Sequence, residues 1–216
     1  MGSGLIIFDI DGTILETARV TVPAVRRTMA AYGLAEPDAE AICSFFGRPV
    51  EEYHAWLRAL CPAEKATEIV AATDRLELEL IGSEGRLYEG MRIALETLRN
   101  EGYVLAVCSN APEDYLCEFL DAHALRSLFT EIRCRGTRYS GKIEMVAEIM
   151  SLVAARPAIV VGDRHDDIEA AHANGALAVA AAYGFGNDHE WRDADARIDS
   201  PMDLPEVIRE FDRITG

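Results

Sequence analysis

Four short stretches of this chain hold residues whose types and spacing suit phosphoryl chemistry. The apolar run Leu5-Ile6-Ile7-Phe8 is closed by Asp9-Ile10-Asp11-Gly12-Thr13. A second run, Val104 to Val107, leads into Cys108-Ser109-Asn110. Lys142 follows Gly141 at the head of an amphipathic segment. The run Ala158 to Val161 is closed by Gly162-Asp163-Arg164-His165-Asp166-Asp167. A carboxylate at a strand end can attack phosphorus and form an aspartyl-phosphate. Clustered carboxylates repel one another and call for a hard divalent cation, most simply Mg2+. A lysine and a hydroxyl would hold the remaining phosphoryl oxygens. Gly12 lets the backbone approach a phosphate closely.

These residues work together only if the strands end on one edge of a sheet. Each apolar run is short and bounded by turn residues, as expected for a strand buried on both faces. From about Gly85 onward strands and helices alternate. Met91, Ala94, Leu95 and Leu98 mark a helix stopped by Gly102, and a helix from about Pro112 to Ala122 follows the second strand. Glu131 to Cys134 and Leu177 to Ala181 read as further strands. Ile143, Val146, Met150 and Val153 mark another helix, one through Ala170 and Ala171 ends at Asn174-Gly175, and Leu204 to Ile214 is the last. Such alternation predicts a parallel α/β sheet with helices on both faces, whose ligands bind beyond the carboxyl ends of the strands.

The stretch from about Val20 to Ile81 differs in texture. Good helix formers dominate it, and Gly33, Gly47, Pro49, Pro62 and Gly82 punctuate it. It predicts helices over Val20 to Tyr32, Pro37 to Phe46, Pro49 to Leu60 and Ala63 to Ile81. A small all-helical bundle thus interrupts the alternation after its first strand. The division expected is a core of residues 1–15 and 88–216 with a helical cap inserted at 16–87.

Composition narrows the function classes. Lys and Arg number 21 against 37 Asp and Glu, a net charge of −16 over 216 residues. So acidic a chain repels nucleic acid and anionic membranes, and an anionic substrate needs local help from a metal ion or a helix N-terminus. No apolar run approaches the roughly 18 residues of a membrane span. Met1-Gly2-Ser3-Gly4 runs directly into the first apolar run with no basic region, which reads as a strand rather than a signal peptide. The five cysteines are odd in number and lack CxxC spacing, which argues against a disulfide framework or a zinc site and for small buried hydrophobes in a reducing compartment. A cytoplasmic protein is expected. The oligomeric state is left open, a homodimer included.

The four stretches resemble, in order, the motifs of the haloacid dehalogenase-like hydrolase superfamily, in its phosphatase branch. They are Asp9-Ile-Asp11-Gly-Thr13-Ile-Leu, Val107-Cys-Ser109-Asn110, Ser140-Gly-Lys142 and Val161-Gly-Asp163-Arg-His-Asp-Asp167-Ile-Glu. The resemblance covers nearly the whole chain. It implies a Rossmann-like parallel core with strand order 5-4-1-2-3. The insertion resembles the helical cap of phosphoglycolate phosphatase-like and β-phosphoglucomutase-like members. Asp9 would be the nucleophile and a Mg2+ ligand, and Asp11 the general acid/base, its backbone carbonyl also a ligand. Thr13, Ser109 and Asn110 would bind substrate. Lys142 would pair with phosphate and Asp9. Asp163 would bind Mg2+, and Asp167 would support the site from behind or through water. Glu16-Thr17, Ile143 and Glu89-Gly90 depart from the family's usual residues without removing a catalytic group.

The reading is a Mg2+-dependent phosphomonoester hydrolase acting on a small, phosphoglycolate-like metabolite. A pyrophosphatase and a phosphosugar mutase of the same fold are the alternatives within enzymes. Outside them stands a phospho-accepting signalling or binding module. Asp11 argues against a signalling module, which has no need to turn over its aspartyl-phosphate quickly. Of Asp166 and Asp167, both able to cap a helix, the spacing favours Asp167 for the site. Arg48, in Gly47-Arg48-Pro49, could reach a substrate carboxylate or second phosphate, or could equally be an exposed turn residue. Tyr53 and Trp56 read as cap core and His54 as solvated. The cluster Arg133, Arg135 and Arg138 reads as exposed charge.

Overall fold

The computed structural model describes residues 4–215. Met1 to Ser3, read above as the lead-in to the first strand, and Gly216 lie outside the described residues. The chain runs β1 (Leu5–Phe8), α1 (Ala18–Ala31), α2 (Ala39–Cys43), α3 (Val50–Ala59), α4 (Ala66–Ser83), α5 (Met91–Glu101) and β2 (Val104–Ser109). It continues through α6 (Glu113–Ala122), β3 (Glu131–Cys134), α7 (Lys142–Leu152), β4 (Ala158–Gly162), α8 (His165–Ala173) and β5 (Leu177–Ala181). The last elements are α9 (Asp188–Trp191), β6 (Ala196–Ile198) and α10 (Leu204–Thr215). The strands form one parallel sheet in the order β3-β2-β1-β4-β5-β6. The expected order of five is present, with a sixth strand added at the β5 edge. Three residues long and carrying the exposed Arg197, β6 lacks the apolar run that marks a buried strand.

Alternation of side chains sorts the sheet into two dry layers. Ile6, Phe8, Leu105, Val107, Ile159 and Val161 face a core shared with α5, α6 and α10. Leu5, Ile7, Ala106, Cys108, Ala158 and Val160 face the other side, against α7 and α8. Register brings the strand ends level. Phe8 pairs with both Val107 and Val161, so Asp9, Ser109 and Asp163 all emerge at one edge.

The helices α1 to α4 enclose a third apolar cluster around Val25, Met29, Leu57 and Ile69. This segment leaves and rejoins the sheet layer through two adjacent stretches, where Glu16 N–H donates to Arg86 O (2.9 Å) and Tyr88 N–H to Ile14 O (3.0 Å). Here α2 is shorter than the expected Pro37 to Phe46. Past Cys43 the chain tightens into i→i−3 bonds, Phe45 to Ile42 (3.2 Å) and Phe46 to Cys43 (3.1 Å), and turns at Gly47 with φ +78°. Two further expectations are corrected. His54 is half-buried and bonded to Asp74 (2.9 Å) rather than solvated. Of the cysteines, only Cys108 is buried, and all five are free. The arginine cluster is tied up in ion pairs, Arg133 and Arg138 sharing Glu148. No helix among the described residues is long and apolar enough to cross a membrane.

Leu95, on α5, is fully buried against the sheet. Leu95→Ala should cost about 3 kcal/mol of stability in urea unfolding, the usual transfer-plus-cavity loss. A loss below about 1 kcal/mol would show that this layer refills the space.

Candidate active site

Asp9, the first residue beyond β1, is buried, and its N–H is held by Val161 O at 2.9 Å. One carboxylate oxygen, Oδ1, lies 3.1 Å from Lys142 Nζ, while Oδ2 is buried with no protein partner. Burial pushes its pKa up to about 7, against the pull of Lys142 and with the push of Asp163, Asp11 and Asp166. The chain then turns sharply at Gly12, φ +79°. A Cβ there would meet Asp163 and would lie 2.7 Å from the Phe185 ring, so both the backbone sign and the space require glycine.

Asp11 accepts at a single oxygen, Oδ1, from Thr17 Oγ1 (2.8 Å) and Tyr115 OH (3.2 Å). Burial raises its pKa, and those two donors oppose the rise. Thr13 is buried with its hydroxyl unpartnered. At the end of β2 Ser109 is fully buried, and its Oγ accepts from Ala111 N–H at 3.1 Å, which leaves the hydroxyl proton to donate. Asn110, expected among the substrate contacts, bonds to protein groups here. Its amide Nδ2 is taken by Gly47 O (2.8 Å) and Asp166 Oδ2 (2.9 Å), and its Oδ1 is buried without a donor.

Lys142 opens α7, almost wholly buried. Besides Asp9 it contacts Asp167 Oδ1 at 2.7 Å and Asp166 Oδ2 at 3.7 Å. Burial alone would lower its pKa, but Asp166, Asp167 and Asp9 hold it well above its ordinary value, so it stays charged. Asp163 is fully buried, with Oδ2 accepting from Phe185 N–H (2.7 Å) and Oδ1 unpartnered. Its pKa is pushed up to about 8 by burial and by Asp167. Asp167, buried, takes the Arg164 N–H on its Oδ2 (3.2 Å) while Lys142 holds the other oxygen. Asp166 is more exposed than Asp167.

Asp9, Asp163 and Asp167 bring one oxygen each within 4.8 Å of one another. The donors are all carboxylate oxygens, and two of the three acids carry a buried oxygen with nothing to bind. Such a set suits a hard divalent cation such as Mg2+.

A cavity of about 260 Å³ rises from Asp9 and Asp11 into the helical segment. Its walls include Phe45, Phe46, Arg48, Tyr53, Glu77 and Tyr115. Arg48 is half-exposed, 3.7 Å from Glu52, with its guanidinium over the Phe45 ring. Tyr53 belongs to the apolar cluster, as expected, and also borders the cavity. Its hydroxyl donates to Glu77 at 2.8 Å, and burial pushes Glu77 up to about 8.

Several residues here escape sequence reasoning. Tyr115 sits among the apolar positions of α6 and reads as core. Glu77 reads as one solvated acid among many on α4. The loop Gly184-Phe185-Gly186 after β5 supports Asp163 through a backbone N–H and through glycines. A Cβ on Gly184 or Gly186 would strike Asp163. The glycine-rich run after a strand was the available signal.

Residues 6–181 match the sequence profile of the haloacid dehalogenase-like hydrolases. The chain belongs to this family, in its phosphatase branch. A phosphoglycolate phosphatase of Haemophilus influenzae is 31% identical over 196 residues, spanning 84% of this chain and 86% of that protein. The tyrosine-protein kinase PtkA of Mycobacterium tuberculosis is 29% identical over 187 residues, 84% of this chain and 63% of that one. Among solved structures, one described as a predicted phosphoglycolate phosphatase from Haemophilus somnus superimposes with a TM-score of 0.86. It covers 94% of this chain and 96% of that one at 21% identity, a likeness of fold. The haloacid dehalogenase-like fold thus accounts for the sheet order and for strand ends that converge.

An acid with a raised folded-state pKa binds its proton more tightly folded than unfolded. That advantage is present below the unfolded value, 3.8 for Asp163, and is lost as pH rises through about 8. In EDTA, wild-type protein should therefore lose thermal stability relative to Asp163→Asn as pH rises from about 5 to about 8, and Mg2+ should narrow the gap. Paired melting curves test this; a gap independent of pH in EDTA would contradict it.

Proposed function

We propose that this protein hydrolyses small phosphomonoesters through an aspartyl-phosphate on Asp9, with Mg2+ bound by Asp9, Asp163 and the Asp11 backbone carbonyl. The observation that carries the reading is the Lys142–Asp9 contact at 3.1 Å beside an unpartnered Asp9 oxygen. One carboxylate is fixed and charge-compensated, yet keeps a free oxygen at the floor of a cavity. Asp167 supports the site from behind, holding Lys142 in place.

In the first step an Asp9 oxygen bonds to phosphorus and the bond from phosphorus to the substrate alcohol breaks. The departing oxygen takes a proton from Asp11. Thr17 and Tyr115 occupy Asp11 Oδ1, which leaves Oδ2 to carry that proton. In the second step water bonds to phosphorus and gives its proton to Asp11, and the Asp9–phosphorus bond breaks. Lys142 and the Ser109 hydroxyl hold phosphoryl oxygens through both steps, as Thr13 does through its unpartnered hydroxyl. A bound Mg2+ would offset the acids' charge and that of the phosphoryl group.

We take residues 16–87 as a cap that covers the substrate, with residues 1–15 and 88–216 as the core. The cavity suits a small leaving group, and Arg48 in its wall can pair with a carboxylate. Phosphoglycolate, the substrate in the name of the Haemophilus influenzae relative, therefore heads the substrate panel. Asn110 contributes by holding the cap loop rather than by its amide touching substrate.

Phosphate release from p-nitrophenyl phosphate, phosphoglycolate, pyrophosphate, sugar phosphates and nucleotides tests the reading. Release should require Mg2+, stop with EDTA and fall at least about a thousandfold in Asp9→Asn, the scale of losing a nucleophile. Release that survives Asp9→Asn would overturn the mechanism. Preference for pyrophosphate, or isomerisation of a sugar phosphate, would select one of the sister activities.

A further inference from the structure

The loop Phe46-Gly47-Arg48, between α2 and α3, walls the cavity above Asp9 and Asp11. It touches the strand-end loops through Asn110 and Arg164. We propose that Arg164 is a positioning residue that latches this loop over the reaction centre. The proposal rests on the phosphatase reading for its kinetic consequence but not for its structural one.

Arg164 immediately follows Asp163, and its side chain is 14% exposed. Its Nε pairs with Glu190 at 2.8 Å and its Nη1 donates to Phe46 O at 2.8 Å. Glu190 is itself fixed, accepting from His165 N–H (3.2 Å) and from the Asn187 side chain (3.0 Å). One edge of a rigid planar guanidinium is thus anchored in the core, and the other is aimed at a cap carbonyl. A lysine has no second arm for this. Gly47 rests directly on the arginine stem. A Cβ there would lie 2.7 Å from Arg164 Cγ, and its φ of +78° favours glycine independently.

Two other contacts fasten the same loop. Asn110 donates to Gly47 O, and the Phe46 ring meets Phe185 edge-on with centroids 4.7 Å apart. Each of these core partners lies beside a catalytic group. Asn110 follows Ser109, Arg164 lies next to Asp163 and gives its N–H to Asp167, and Phe185 N–H holds Asp163. The loop therefore docks onto the very loops that assemble the acids, through few enough bonds to release. A charged donor on a carbonyl is the strongest of these, so its loss should shift the balance of closed and open loop about tenfold.

Hydrogen–deuterium exchange of full-length Arg164→Ala, Arg164→Lys and Gly47→Ala tests the latch without reference to activity. Exchange over residues 44–50 should rise about tenfold in Arg164→Ala and Gly47→Ala, less in Arg164→Lys, with β1 and β2 unchanged. With Mg2+ and the best substrate of the panel, Arg164→Ala should raise KM about tenfold while kcat falls less than about threefold. Unchanged exchange over 44–50 would overturn the proposal. So would faster exchange spread through α8, which would make Arg164 a residue of the helix start and not of the loop. If the exchange result holds while no substrate turns over, the latch stands and the phosphatase reading fails.

Discussion

Everything at the strand ends depends on one ammonium group among three carboxylates. Lys142 lies buried within 3.7 Å of Asp9, Asp166 and Asp167, in a chain whose net charge is −16. Removing it would leave buried acids facing one another, a cost that proteins relieve by protonation or by a cation. One lysine does not balance Asp9, Asp163 and Asp167 together. Burial, and then the neighbouring acids, raise the pKa values of Asp9 and Asp163, and two buried oxygens are left with no donor. The same imbalance that makes the site costly suits it to a divalent cation.

That arrangement is inherited from sheet geometry. A parallel sheet aims all its carboxyl ends the same way, and the shared register of β1, β2 and β4 brings them level. Lys142 arrives from a different direction, at the first turn of α7, whose N-terminal amides also favour anions. The backbone thereby supplies the convergence, and the side chains need little reach. The helical segment is entered and left by the chain at two neighbouring points near Leu15 and Leu87. It can then lie over the edge without disturbing the strands below.

How much of this the sequence discloses follows from whether a role is carried by a side chain in a local motif. Asp9, Asp11, Ser109, Lys142 and Asp163 stand next to apolar runs or at a helix start, so their elements and their convergence are readable together. Residues acting from elsewhere are not. Tyr115 occupies an apolar position of α6, and only the packing of α6 against the sheet brings its hydroxyl to Asp11. Glu77 becomes a buried acid only because α4 turns that face toward Tyr53. Asn110 reads as a substrate ligand from its motif, and its bond to Gly47 O, 63 residues away in sequence, is invisible there. Phe185 holds Asp163 through its backbone N–H, a contact that carries no residue identity.

Glycines complete the constraint from the negative side. Gly12 and Gly184 leave room for Asp163, and Gly162 leaves room for Asp167. A Cβ at any of these positions would occupy space that a carboxylate already fills. Asp163 and Asp167 are thus packed closely on these flanks, which limits how far they can swing apart. A loosely held set of carboxylates would answer crowding by moving. Here the backbone forbids that response, so the charge must be met where the acids stand. Asp9, Asp163 and Asp167 thereby hold one oxygen each within 4.8 Å of one another, a fixed arrangement of the kind that preorganised electrostatics requires.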